Sequence, residues 1–217
     1  MSNKVKIAVL VSGGGTNLGA IIKAEADGII KSGTVSLVIS NVTGAYALTR
    51  AENAGIEALT VTKKACGSIE AFEERLIAEI DSRGIGLIVL AGFMSILSER
   101  FTSHYRDRII NVHPALIPSF CGKGYYGLGV HKAALEYGVK VTGATVHFVN
   151  EIPDGGKIIT FRCGVGAELY RLYRHIHRQR RTDRIYPTVD RTAHRMVYCE
   201  PCPLISAFSK KIILQMT

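Results

Sequence analysis

Two short segments carry side chains whose types and spacing suit acyl-transfer chemistry. In Asn111-Val112-His113-Pro114 an amide and an imidazole stand two residues apart. In an extended chain they point to the same side. The amide is an uncharged donor, and the imidazole is a proton carrier that titrates near neutrality. Together they suit a carbonyl carbon under attack: the amide donates to the developing oxyanion while the imidazole manages protons. In Asn150-Glu151-Ile152-Pro153-Asp154-Gly155-Gly156 the proline and glycines shape a loop with a carboxylate at its tip. A carboxylate beside an imidazole orients it and favours its charged form. Each segment also has a plain reading, the first as a packed histidine and the second as a surface Asp-Gly turn.

Ser12-Gly13-Gly14-Gly15-Thr16-Asn17 falls between an apolar run and a helical pattern. Glycines let the backbone approach a ligand closely, and the free amides of a helix start favour an anion such as a phosphate. The segment is not a P-loop, because no Lys-Ser/Thr pair follows at the required spacing. It is not the dinucleotide fingerprint either, since Leu18 occupies the third glycine position. The alternative is a tight turn in which Thr16 or Asn17 caps the helix. Phe93-Met94-Ser95-Ile96-Leu97 could wall an apolar slot for a flat ring or simply pack in the core. Thr145 and His147 share one face of an alternating segment and either support the site or are packed there. Gly122-Lys-Gly-Tyr-Tyr-Gly127 is an aromatic, glycine-rich loop that either closes over a substrate or only connects.

The elements that must position these residues alternate between apolar strands and amphipathic helices. Strands are expected at 5–11, 34–40, 57–61, 86–91, 109–112 and 143–149, and helices at 17–26, 46–54, 69–82, 99–105 and 131–137. Leu18, Ile21 and Ile22 should face inward on the first helix, and Phe72, Leu76, Ile77 and Ile80 on the third. The order predicts an α/β fold with a mostly parallel central sheet and helices on both faces. In such sheets ligands bind beyond the carboxyl ends of the strands, where the distinctive segments lie.

At 47% hydrophobic and 21% charged residues, the 217-residue chain can build a normal core, which excludes general disorder. No apolar run is long enough to span a bilayer or resembles a signal peptide, so a cytoplasmic protein is expected. Five scattered cysteines (66, 121, 163, 199 and 202) read as free thiols. Cys199 and Cys202 have zinc-knuckle spacing but no second ligand pair, and no metal is expected. Six of the nine surplus positive charges fall in residues 163–217, so nucleic-acid binding would rest on that stretch alone and is not expected. There Leu169–Arg181 could form a basic helix, and no confident element follows.

Taken together and in order, residues 9–18, 90–98, 111–118 and 142–159 resemble the glycinamide ribonucleotide formyltransferase family, over about Lys4 to Ile159. The resemblance implies a Rossmann-like formyltransferase fold over residues 1–162, with a phosphate-binding first half and a folate-binding second half; residues 163–217 lie beyond it and read as an atypical basic tail. It implies formyl transfer from 10-formyltetrahydrofolate, as co-substrate, to the amine of glycinamide ribonucleotide in purine synthesis. Asn111, His113 and Asp154 match the family's catalytic residues. Gly13, Gly14, Gly15, Thr16 and Asn17 match the substrate-phosphate loop. Met94, Ser95, Ile96, Leu97, Asn111, Glu151, Ile152 and Asp154 match the folate-binding positions, with Thr145 and His147 in support.

The chain also departs from the family pattern. Ser95 and Ile69 stand where many members carry arginine, and Ala115 where serine is common. Past about Thr160 the usual acidic end is not recognisable, although Ile185-Tyr-Pro187 falls near a similar tripeptide. A monomer or homodimer is expected. Three alternatives stay open: a methionyl-tRNA formyltransferase, a formyltetrahydrofolate hydrolase, and a non-catalytic phosphate- or folate-binding protein.

Overall fold

The computed structural model describes residues 4–165, and the readings for Leu169–Arg181, Ile185-Tyr-Pro187 and Cys199–Cys202 lie outside them. One seven-stranded sheet organises the described residues. Its strands are β1 (Val5–Val11), β2 (Gly33–Ser40), β3 (Glu57–Thr60), β4 (Leu87–Leu90), β5 (Ile109–His113), β6 (Val141–Phe148) and β7 (Ile158–Val165). Their spatial order is β3-β2-β1-β4-β5-β6-β7. The first five are parallel, while β6 runs antiparallel to both β5 and β7. The helices are α1 (Thr16–Ala26), α2 (Tyr46–Asn53), α3 (Lys63–Cys66), α4 (Ile69–Asp81), α5 (Glu99–His104) and α6 (Leu128–Tyr137).

Strand β1 shows why both faces are covered. Its side chains alternate, so Ile7, Val9 and Val11 pack with Leu18, Ile21 and Ala24 of α1 and with Ala47 and Ala51 of α2. Ala8 and Leu10 face the other way, onto Phe72, Leu76 and Ile80 of α4 and onto Phe101 and Tyr105 near α5. A strand buried on both faces reads as a continuous apolar run, as Val5–Val11 does. Each fully buried aliphatic side chain contributes roughly 1.5–3 kcal/mol. Ser68 and Ser98 fix two helix starts, each side-chain oxygen accepting from an amide three residues on. The α2 helix ends as its glycine implies: Gly55 is left-handed at φ 71°, and the Ile56 amide returns to the Ala51 carbonyl.

Several expectations need correction. Strand β7 and the four-residue α3 were not foreseen, because neither carries a strong periodic pattern. Helix α6 begins at Leu128, three residues before the expected start. Ile22 on α1 and Ile77 on α4 pack against the core as expected while staying half-buried, and Ala24 joins Leu18 and Ile21 among the buried residues of α1. On α4 the charged Glu73 is buried as well, its carboxylate accepting from the Ser98 amide and hydroxyl. Hydropathy alone places such a residue outside, but a fully hydrogen-bonded carboxylate can be buried.

Candidate active site

The site is built first by strand register. Asn111 and His113 lie on one face of β5 by the two-residue period. The antiparallel pairing sets His147 directly opposite Asn111 and Thr145 opposite His113. A one-residue slip would turn every one of these side chains to the other face. His113, Thr145 and His147 are all buried. The loop between β6 and β7 then folds over them and delivers Asp154.

That loop is held by local bonds. The Asn150 side-chain oxygen accepts from the Ile152 amide (3.1 Å), and the Ile152 carbonyl accepts from the Gly155 amide (2.9 Å). Gly156 passes so close to the Phe148 carbonyl that any Cβ would collide with it. Asp154 itself sits at φ 57°, in the left-handed region that aspartate tolerates better than most residues.

The Asp154 carboxylate is the hub of the cluster. Oδ2 accepts from the Gly122 amide (2.8 Å) and faces His113 Nδ1 (3.4 Å). Oδ1 faces His147 Nε2 and Asn111 Nδ2, each at 3.5 Å. Asn111 Nδ2 also meets His147 Nε2 at 3.2 Å, and His147 Nδ1 lies 2.8 Å from the Phe148 carbonyl. Burial works to raise the Asp154 carboxyl. The hydrogen bond from His147, the Gly122 amide and the charges of the two histidines outweigh it and hold the group below the usual carboxylate range.

His113 points both ring nitrogens at acceptors. Nε2 lies 2.8 Å from the Phe120 carbonyl, and Nδ1 faces the Asp154 carboxylate. A ring with N–H at both positions satisfies both. Phe120 is itself left-handed, at φ 49°, which turns its carbonyl toward the ring. His131, in the first turn of α6, is shifted downward by burial and then by the charge of His113. The Cys121 thiol is pushed up by burial and then by Asp154, which disfavours a reactive thiolate. Among the described residues, no group of three His, Cys, Asp or Glu side chains is placed to hold a metal ion.

This cluster forms the floor of a cavity of about 390 Å³, a size that suits a small-molecule ligand. Its walls come from three loops: Met94, Ser95, Ile96 and Leu97 after β4, Glu151 and Ile152 beside Asp154, and Lys123 to Gly127. Met94 and Ile96 are exposed and Leu97 is buried, so only the last belongs to the core. Thr145 does not reach the carboxylate. Its hydroxyl donates to the Ala115 carbonyl (2.7 Å) and accepts from the Ile117 amide (3.1 Å), pinning the turn after His113.

A second cavity, of about 250 Å³, is lined by Ser12 to Asn17 and shares Gly92 and Met94 with the first. Gly15 is the N-cap of α1, at φ 67°, and provides no side-chain cap bond. Thr16 and Asn17 are therefore inside the helix, and the cap does not close its first amides. Gly15 also approaches α2 closely, since a Cβ there would lie 2.6 Å from the Ala47 Cβ. The Gly14 carbonyl accepts from Arg50 Nε (2.8 Å) and the Gly13 carbonyl from the Ala47 amide (3.1 Å), which fixes the loop from behind.

Residues missed by sequence reasoning include Asn41, Gly122 as an amide donor to Asp154, and Arg50. For Asn41 a signal was present: it is a polar residue immediately beyond the carboxyl end of a central strand.

Known proteins share this fold and much of this sequence. Residues 5–170 match the family model described as Formyl transferase. The chain is 47% identical over 155 residues to phosphoribosylglycinamide formyltransferase of Escherichia coli strain K12, covering 71% of this chain and 70% of that protein. It is 44% identical over 158 residues to the trifunctional purine biosynthetic protein adenosine-3 of Gallus gallus, covering 73% of this chain but only 15% of that longer protein. Among solved structures, glycinamide ribonucleotide transformylase 1 from Symbiobacterium toebii superposes with a TM-score of 0.71 at 38% identity, covering 81% of this chain and 82% of that one. The fold and the family match thus define a formyl transferase. Within that class, the chain belongs to the phosphoribosylglycinamide formyltransferase family.

Proposed function

We propose that the two adjoining cavities bring a formyl folate and a phosphate-bearing amine together over Asn111, His113 and Asp154. The activity is formyl transfer from 10-formyltetrahydrofolate to glycinamide ribonucleotide in purine biosynthesis. One observation carries the assignment of sites: the polar cluster floors the larger cavity, and the glycine loop lines a second cavity that shares Gly92 and Met94 with it. Met94, Ser95, Ile96, Leu97, Glu151 and Ile152 would hold the pterin, and Gly13 to Asn17 the substrate phosphate, at an uncapped helix start suited to an anion.

In the mechanism proposed, the glycinamide amine attacks the formyl carbon and a carbon–nitrogen bond forms. The carbonyl oxygen gains charge, and Asn111 Nδ2 and His113 Nε2 donate to it. His113 thereby exchanges the Phe120 carbonyl for the substrate oxygen. Asp154 stays ionised, orients His113 through Nδ1 and offsets its positive charge. The bond to the folate N10 then breaks, and the proton released by the amine goes to that nitrogen. Products are the formylated amine and tetrahydrofolate, so the balance needs neither a covalent enzyme intermediate nor a metal.

Purified protein with 10-formyltetrahydrofolate and glycinamide ribonucleotide, followed by folate absorbance, tests the reading. Turnover that depends on the amine is expected. Formate release without an acceptor would make the protein a hydrolase, and transfer to a charged tRNA alone would move it to the tRNA-directed enzymes. No helix among the described residues is long and apolar enough to cross a membrane. Work in the cytoplasm, as a monomer or homodimer and without nucleic acid, completes the proposal.

Gly15→Ala gives a separate check on the phosphate loop. The added methyl meets Ala47, and alanine at that φ costs on the order of 1–3 kcal/mol. The KM for glycinamide ribonucleotide should rise by about tenfold, given that 1.4 kcal/mol is a factor of ten, while the KM for the folate changes little. Steady-state kinetics with each substrate varied in turn reads this out.

A further inference from the structure

Loops leaving three different strands meet in one continuous run of hydrogen bonds. Ser12 follows β1, Asn41 follows β2, and Met94 and Ser95 follow β4. The Met94 amide donates to Ser12 Oγ (2.8 Å) and the Ser12 hydroxyl donates to Asn41 Oδ1 (2.6 Å). Asn41 Nδ2 in turn donates to Ser95 Oγ (2.7 Å). The carboxamide suits this place, because its oxygen accepts from one loop while its NH2 donates to the other. The backbone holds Asn41 in place for this. Its amide donates to the Val11 carbonyl (3.3 Å), and buried Ser40 turns the chain by donating to the Val42 carbonyl (2.8 Å) and accepting from the Val42 amide (3.0 Å). No bond in this run touches Asn111, His113 or Asp154. Two of its members, Ser12 and Ser95, line different cavities, and Met94 lines both.

We infer that Asn41 is a positioning residue that locks the glycine loop and the 92–97 segment into one rigid unit, so that the two substrates are bound in a fixed relation. The inference rests on the proposed formyl transfer only for what occupies the two cavities. The physical reason is preorganisation. Two loops that move independently must each be ordered when their ligand binds, and a shared hydrogen-bonded strut removes that cost in advance. The strut sets where the ligands lie and leaves proton handling unchanged. Its loss should therefore appear in both KM values together, not in the pH profile of kcat.

Asn41→Ala is expected to raise the KM for glycinamide ribonucleotide and for 10-formyltetrahydrofolate in parallel, each by about tenfold, as for the loss of one or two neutral hydrogen bonds. The kcat at saturation should stay within about threefold of wild type. Ser12→Ala should act likewise. The Ser12→Ala/Asn41→Ala double variant should fall short of the combined effect of the two single ones, since both singles already break the shared Ser12–Asn41 bond.

Asn41→Ser, too short to reach both partners, gives the same comparison if alanine harms folding. Backbone hydrogen exchange of the protein without substrates is a readout independent of turnover. Residues 12–17 and 92–97 should lose protection together in Asn41→Ala. A KM effect on one substrate alone, additive losses in the double variant, or loosening of only one loop would overturn the inference. Absence of turnover in the wild type would instead overturn the formyl-transfer reading and leave the exchange comparison in force.

Discussion

His113→Ala is expected to lower kcat by about a thousandfold while leaving the KM for either substrate nearly unchanged. The size follows from the two roles proposed for one ring. A positioned proton carrier contributes roughly 10²–10⁴-fold, and loss of an oxyanion donor costs roughly 10²–10³-fold. The roles overlap in one side chain, so the effects do not simply multiply. Asp154 and Phe120 hold the ring from both sides, with Nδ1 3.4 Å from the carboxylate and Nε2 2.8 Å from the carbonyl. Because His113 is only 3% exposed, truncation also leaves a small void and takes a partner from the Phe120 carbonyl and from the Asp154 carboxylate. Thermal unfolding and circular dichroism must accompany the kinetics. A folded variant with near-normal turnover would remove His113 from the mechanism.

Asp154→Asn is expected to lower kcat by about a hundredfold, within the range for a group that acts through proton handling. Asparagine is the informative replacement, because it tolerates the left-handed backbone at φ 57° as aspartate does, whereas alanine would add strain. The change therefore removes the charge, and one acceptor, without adding backbone strain. The amide can still accept from the Gly122 amide, but it no longer offsets a positive His113.

The same substitution carries a pH signature. The Asp154 carboxyl is held below its ordinary value in the folded protein, so its ionised form stabilises the fold. A depressed carboxyl contributes stability that is fully present above the unfolded pKa of about 4 and is lost as pH falls through the folded value. Wild type should therefore melt above Asp154→Asn near neutrality, and the gap should close as the pH drops below about 4. Melting temperatures of the two proteins at stepped pH measure this. A gap independent of pH would mean that the carboxylate charge does not support the fold.

Much of the architecture was legible from local pattern. Val5–Val11 announced a strand covered on both faces, and the structure divides its side chains between two helix layers. The glycine run after it marked a close-approach turn, and the two-residue period put Asn111 and His113 on one side. These are consequences of backbone geometry and side-chain hydropathy over a few residues. The limits of that reading are equally specific. Strand β7 was invisible because its apolar residues do not alternate strongly. The charge of Glu73 gives no local sign of its burial, which hydrogen bonds from Ser98 make possible.

The sequence by itself determined the layered α/β arrangement, the glycine turn and the shared face of the amide and imidazole, because each depends on neighbours close in the chain. Tertiary structure alone decided that His147 stands opposite Asn111, that a carboxylate 43 residues from Asn111 reaches all three polar rings and amides, and that Asn41 ties two loops together. Those contacts depend on strand register and on which loop crosses which strand end. Burial of a whole sheet face sets the register, and no local window of sequence contains that information.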